Sequence, residues 1–187
     1  SNCSNNSLKA QGNGNFDGIT FTLYNNNQCT EQTTGAGLVN PQTLSNNNNS
    51  ITFEKLVAGQ TYYVKENIGN NTFYNMSDTS CKAVTASTSS STSVNFNNIV
   101  KKTSIRVNKR DAETGSCTTV GNNSFDGTSF QLINKSANSI YYNNAIFAPN
   151  STIDTKTLSS GSCEVVFENL PYGTYQISET PSNGYNG

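Results

Sequence analysis

The side chains able to do chemistry here are cysteines, carboxylates, lysines and amides, because histidine and tryptophan are absent altogether. Without imidazole there is no Ser-His-Asp or Cys-His relay, no His-ligated zinc and no side chain whose ordinary pKa lies near neutrality. The acids Glu54, Asp78, Asp126 and Glu168 show no spacing that pairs them for general acid and base work. Asp17 and Asp126 each stand in a Phe-Asp-Gly triplet, but no further carboxylates follow at calcium-loop spacing. The triplet therefore reads as a turn into a strand, and no metal, cofactor or turnover enzyme is expected.

Five cysteines, Cys3, Cys29, Cys81, Cys117 and Cys163, contain no Cys-x-x-Cys pair. That disfavours a structural metal or a thioredoxin-like redox site and favours disulfides in an oxidising, extracellular setting. An odd count leaves one thiol unpaired or bonded outside the chain, and Cys3 is the natural candidate. We expect Cys29 with Cys81 and Cys117 with Cys163, one pair per half, although spacing alone leaves the connectivity open.

The 11 Lys and Arg nearly balance 12 Asp and Glu for a net charge of -1, and only 12% of residues are charged. No basic groove can follow a phosphate backbone, so nucleic acid is not an expected partner. The sequence has no apolar run of membrane-spanning length, no basic-then-apolar leader and no lipidation box, and it reads as a soluble mature piece or a fragment of a longer protein. Abundant Asn, Ser and Thr would suit disorder, but 9 Tyr and 9 Phe with recurrent Val and Ile supply the apolar surface of folded sheets. Glycosylation sequons at Asn70, Asn75, Asn134 and Asn150 are as frequent as this composition produces by chance.

The elements that must position any site emerge from an internal repeat. Phe16 to Asn25 aligns without a gap on Phe125 to Asn134, 109 positions later. Ile51 to Leu56 answers Val165 to Leu170, and Gly59 to Glu66 answers Gly173 to Glu179 with Gln60 as an extra residue. Apolar residues alternate within these blocks: Ile19, Phe21 and Leu23; Tyr62 and Val64; Tyr175 and Ile177. Period two predicts half-buried strands, and stretches such as Asn46 to Asn49 predict turns. No segment carries helical periodicity over three turns, so each half is expected to be an antiparallel sandwich. The expected domains are 1–102 and 103–187. The short linker Val100 to Ser104 has no Gly/Ser run, which favours an elongated rod.

Ile105 to Gly115, Phe130-Gln131-Leu132, Phe167 to Thr180 and Gly184-Tyr185 resemble the Cna B-type (prealbumin-like, SpaA-pilin-like) domains of Gram-positive surface proteins. The resemblance covers most of 104–187, where Tyr175 to Tyr185 is similar to the pilin E-box with one residue deleted. A weaker copy covers roughly 16–102. It implies an all-β fold of tandem immunoglobulin-like or prealbumin-like β-sandwiches, used as stalk or shaft modules in adhesins and pili.

The resemblance also implies an internal isopeptide bond, in which a first-strand Lys joins a last-strand Asn or Asp with help from a central Glu. Carried over, it makes Lys109 the nucleophile and Glu179 the helper in the second domain, and Glu66 the helper and Asn98 the acceptor in the first. Residue parity agrees independently. Lys109 shares the Ile105/Val107 face, Glu179 the Tyr175/Ile177 face, Glu66 the Tyr62/Val64 face and Asn98 the Val94/Phe96 face, so all four should point inward. Burial favours the neutral amine and the neutral acid, the forms such a reaction needs.

The pattern is incomplete in this stretch. The position equivalent to Lys109 falls immediately before Ser1, and nothing equivalent to Val94–Asn98 precedes Gly187. Each domain is thus expected to lack one terminal strand. Lys9 is the alternative nucleophile for the first domain, although Asn5, Asn6, Ser7 and Leu8 give it no apolar alternation.

The expected function is a structural stalk or shaft module of an extracellular fibre, located at the cell surface or cell wall, with neighbouring copies of the same domain or subunit as partners. The alternative is an adhesin module binding a host glycan or matrix protein through Tyr- and Asn-rich loops, Ile140 to Asn144 or Phe73 to Asn75.

Overall fold

The computed structural model describes residues 15–117, 119 and 124–182. All regular structure among them is β-strand, and the contacts divide them into two units, 15–101 and 102–182. With no helix present, none of the described residues forms a helix long and apolar enough to cross a membrane.

The first unit contains β1 (Thr20–Tyr24), β2 (Gln42–Thr43), β3 (Thr61–Asn67), β4 (Tyr74–Met76), β5 (Lys82–Thr85) and β6 (Asn98–Val100). Its four-stranded sheet runs β2-β1-β3-β5, and β4 pairs with β6 in a second sheet. The second unit contains β7 (Lys102–Asn108), β8 (Ser129–Asn134), β9 (Ile140–Tyr142), β10 (Ala145–Phe147), β11 (Thr152–Thr157), β12 (Glu164–Pro171) and β13 (Tyr175–Thr180). Here β11-β8-β13 form one sheet, β12-β7 another, and β9-β10 a hairpin. Every pairing is antiparallel.

The aligned blocks of the repeat take the same register in both units. Phe21 pairs with Glu66 and Leu23 with Val64 in the first; Phe130 pairs with Glu179 and Leu132 with Ile177 in the second. The neighbouring edge matches too, Thr20 opposite Thr43 and Ser129 opposite Thr157. The Phe-Asp-Gly triplets turn into β1 and β8 as expected, and each Asp also ties down a distant loop: Asp17 Oδ1 accepts from the Asn47 amide and Asp126 Oδ1 from the Gly161 amide, both at 2.9 Å.

Among the described residues the largest buried clusters of the two units differ in size. In the second unit Phe130 and Leu132 of β8, Ile153 of β11, and Val165, Phe167 and Leu170 of β12 meet between the sheets with Ile140, Tyr142, Phe125 and Leu158. Ile105, Val107 and Ile177 pack against them. Full burial of one such side chain stabilises by about 1.5–3 kcal/mol. In the first unit the cluster is Leu23, Tyr62 and Val64, ringed by Phe21, Phe53, Leu56, Val84, Val94 and Phe96, which keep part of their surface exposed.

Much of the asparagine is internal scaffolding. Asn40 receives the Leu23 amide on Oδ1 and donates Nδ2 to the Leu23 and Thr33 carbonyls, standing in for a strand beside β1. Asn71 links the carbonyls of Asn15 and Asp17 to the amides of Phe73 and Tyr74. Asn134 is fully buried and donates to the Asn138 and Phe147 carbonyls, so its sequon presents no side chain to a glycan in the folded unit. Asn143 and Asn144, at φ 46° and 64°, form the two-residue turn of the β9-β10 hairpin, where Asn tolerates the left-handed conformation better than most residues.

Two features differ from the sequence reading. Residues 51–56 form no strand, although their counterparts lie in β12. In the second unit β12 is held by β7, whereas 51–56 has no ladder partner among the described residues. The stretches read as binding loops are largely strands as well: Ile140 to Tyr142 is β9, and Tyr74 and Asn75 lie in β4. Ile140, Tyr142 and Tyr74 are buried because their alternation turns them to the interior, while Tyr141 and Phe73 keep part of their surface exposed.

Candidate functional site

Disulfides join Cys29 to Cys81 and Cys117 to Cys163, the expected pairs. The first ties the loop after β1 to the start of β5; the second ties the segment after β7 to the start of β12. Two disulfides in a small all-β chain indicate an oxidising, extracellular environment. Cys3 and Lys9 lie outside the described residues.

In the first unit the alternation of β3 buries Tyr62, Val64 and Glu66 in succession, and Glu66 is only 3% exposed. The inward parity of Val94, Phe96 and Asn98 brings Asn98 to it from the other sheet. Asn98 Nδ2 donates to Glu66 Oε1 at 2.8 Å, bridging the sheets. The remaining oxygens, Glu66 Oε2 and Asn98 Oδ1, are buried and have no hydrogen-bond partner among the described residues. Leaving such groups unsatisfied costs about 1–3 kcal/mol each. Desolvation pushes the Glu66 carboxyl above its ordinary range, against smaller opposing effects from the Asn98 hydrogen bond and the Lys82 charge.

Lys82 was not singled out in the sequence. It projects from β5 and is held by Asp78 at 2.6 Å, by the Asn95 carbonyl at 2.6 Å and over the Phe96 ring. Asp78 is in turn held well below the ordinary carboxylate range by Lys82 and Ser80. Lys82 thus influences Glu66 through its charge while its ammonium is engaged elsewhere. Its place beside β3 depends on the β3-β5 pairing, which period alone does not reveal.

In the second unit Lys109 follows β7 directly, and its amide donates to the Cys163 carbonyl at 2.8 Å, extending the β7-β12 ladder. Its Nζ lies 2.6 Å from Glu179 Oε1 and 5.9 Å from the centroid of the Phe125 ring. This ion pair also bridges two sheets. Lys109 keeps 17% of its side chain exposed and Glu179 keeps 33%. The inward placement expected of Glu179 therefore holds for parity but not for burial. Glu66 is covered by β6 and its approach, whereas no equivalent strand stands over Glu179 among the described residues.

The geometry brings Glu66 to Asn98 and Lys109 to Glu179, each in its own unit. Among the described residues no lysine bonds to Asn98, and no amide is recorded against Lys109 Nζ. The two acids occupy equivalent register positions, opposite Phe21 and Phe130. Chemically, the first unit presents an acceptor amide beside a protonatable acid, and the second presents an amine beside an acid. No family model, curated protein or solved structure matches the chain.

Proposed function

We propose that this chain is a structural module of an extracellular cell-surface fibre, a pilin shaft or adhesin stalk built from Cna B-like units, whose work is to bear load. The observation that carries the reading is the recurrence of a sheet-bridging acid at one register position in both units, Glu66 beside Asn98 and Glu179 beside Lys109. Such sites join Lys to Asn when the third group arrives. The neutral amine nitrogen bonds to the Asn Cγ, the Cγ–Nδ2 bond breaks, and the amide nitrogen leaves as ammonia. The neighbouring acid carries the amine's proton to that leaving nitrogen. Atoms and charge balance without any oxidant, and the reaction runs once.

A raised Glu66 pKa suits this role, because the protonated acid can polarise the carboxamide oxygen. A link closing a loop of about 100 residues would stabilise by about 4–5 kcal/mol if it behaves like a disulfide in the chain-entropy picture. Joining first to last strand, it would also carry tension without passing it through the sheets. Disulfides in both units serve the same end.

Intact-mass measurement on a longer stretch of the polypeptide, extended at both ends, tests the reading. The expected result is a mass lower by one ammonia for each bond, with Asn98→Ala and Lys109→Met each restoring one. A mass equal to the unmodified sequence rules the bonds out.

A further inference from the structure

Lys82 is a lysine on the inner face of a sheet. In the β3-β5 ladder it stands opposite Val64, and Val84 stands opposite Tyr62. Cross-strand partners point to one face, so Lys82 shares the buried side of β3 on which Glu66 follows two residues after Val64. Only 23% of its side chain is exposed, and the Cys29–Cys81 disulfide fixes the chain immediately before it. A cation turned toward an apolar interior needs partners. Apart from Asp78, those it keeps are the Asn95 carbonyl, 2.6 Å from Nζ, and the Phe96 ring, whose centroid lies 4.6 Å away. Both belong to the stretch that leads to Asn98.

That stretch is tied down by side chains at successive points. Thr92 Oγ1 donates to the Thr85 carbonyl at 2.8 Å, Lys82 Nζ to the Asn95 carbonyl and Ser77 Oγ to the Asn97 carbonyl, after which β6 begins with Asn98 opposite Met76. Val94, Phe96 and Asn98 are partly buried while Asn95 and Asn97 are exposed, so holding the two exposed residues by their carbonyls fixes which way Asn98 turns. Of these three donors Lys82 is the charged one, and charge-assisted bonds are roughly twice as strong as neutral ones. We propose that Lys82 is the positioning residue of the Glu66–Asn98 site: braced by Asp78, it grips the Asn95 carbonyl and the Phe96 ring and so holds the Asn98 carboxamide on Glu66. The reactivity of Asn98 rests on the cross-linking reading, but the contact being positioned is a hydrogen bond that the structure shows. The same grip excludes Lys82 as the attacking amine, because an ammonium paired with a carboxylate has no lone pair to offer.

An NMR titration of the full chain, following the Asn98 Nδ2 protons, tests this. In the parent chain they should shift as Glu66 titrates, because they donate to its carboxylate. Lys82→Met keeps the apolar stem and removes the grip, so the Asn98 shift should be lost while the amides of Leu23 and Val64 stay protected from exchange. Lys82→Arg still donates to a carbonyl and pairs with Asp78, and should restore the shift. Besides desolvation and the Asn98 bond, the charges acting on Glu66 are Lys82, which lowers its pKa, and Asp78, which raises it. An Asn98 shift that persists in Lys82→Met with only a raised midpoint would therefore show that Lys82 acts as a charge alone, and overturns the proposal; so does an unchanged profile. Should Lys82→Met lose the protected amides, Asp78→Asn decides instead: it keeps the lysine and frees its ammonium, so the Asn98 shift should shrink, and an undiminished shift overturns the proposal. In a longer polypeptide extended at both ends, ammonia loss should slow about 10- to 100-fold in Lys82→Met and recover in Lys82→Arg. Loss abolished in both variants would make Lys82 the attacking amine and overturn positioning. If the parent loses no ammonia, the cross-linking reading fails while the titration still decides the role of Lys82.

Discussion

In the first unit an acid and an amide meet in a buried interior, while in the second an amine and an acid meet at a partly exposed margin; among the described residues no amine bonds to the first pair and no amide to the second. The register that positions the acids is the same; the surroundings are not. An ion pair supplies its own compensation and persists with a third of one side chain in water. An acid and an amide left with orphan oxygens have no such compensation, and burial raises the acid's pKa instead. What the comparison teaches is that β7 stands beside β12 in the second unit, whereas among the described residues no strand pairs with 51–56 in the first, and the two sites differ accordingly in what meets the acid.

The largest expected effect comes from the paired core positions Phe167 and Phe53. Phe167 is fully buried on the inner face of the β7-β12 sheet, so Phe167→Ala should cost about 3–5 kcal/mol. Phe53, its partly exposed counterpart, should cost only about 1 kcal/mol on truncation. Unit-resolved hydrogen exchange measures both, and equal losses would break the comparison by showing that the edge at 51–56 is already closed.

Removing the disulfides should come next. They span sequence separations of 52 and 46, so the chain-entropy contribution is nearly equal, about 4 kcal/mol each in principle and more often 2–4 in practice. Among the described residues the buried cluster around β12 joins ten side chains, whereas in the first unit Leu23, Tyr62 and Val64 cluster apart from buried Ile19, Leu44 and Tyr74, so reduction should unfold the first unit while the second keeps its protected amides. Simultaneous unfolding of both units on reduction would contradict this.

The smallest effects separate the two acids. Glu179→Gln replaces an ion pair with a weaker contact and should destabilise the second unit by under about 1 kcal/mol. Glu66→Gln should do the opposite at pH 7. The folded-state pKa of Glu66 lies above its unfolded value of 4.5, so this group's contribution is most favourable below that pH and is lost as pH rises toward the folded pKa. A neutral Gln escapes that loss. The variant's advantage, followed by thermal melts, should shrink as pH falls through about 4.5; an advantage independent of pH would show that desolvation of Glu66 is not its cause.

Strand parity was legible because it is local. Period two placed Tyr62, Val64 and Glu66 on one face and Val94, Phe96 and Asn98 on another, and the alternation of exposure follows both. Lys109, directly after β7, continues the inward parity of Ile105 and Val107 for the same reason. Asn40, Asn71 and Asn134 were illegible as scaffolding, since an Asn bonded to distant backbone carries no mark that distinguishes it from the surface Asn around it. Likewise Tyr-Tyr-Asn-Asn reads equally well as a loop or as a strand and its turn, until Ala145 to Phe147 pairs back on it.

By itself the sequence determined the β period, the aligned blocks, the cysteines suited to pairing and the inward parity of Glu66, Asn98, Lys109 and Glu179, because each depends on residue type and spacing along one strand. Only the tertiary structure decided that Glu66 meets Asn98 and Lys109 meets Glu179, that one acid is buried and the other a third exposed, and that 51–56 has no ladder partner among the described residues. Those outcomes depend on which strand lies opposite, a contact made across tens of residues that no local period encodes.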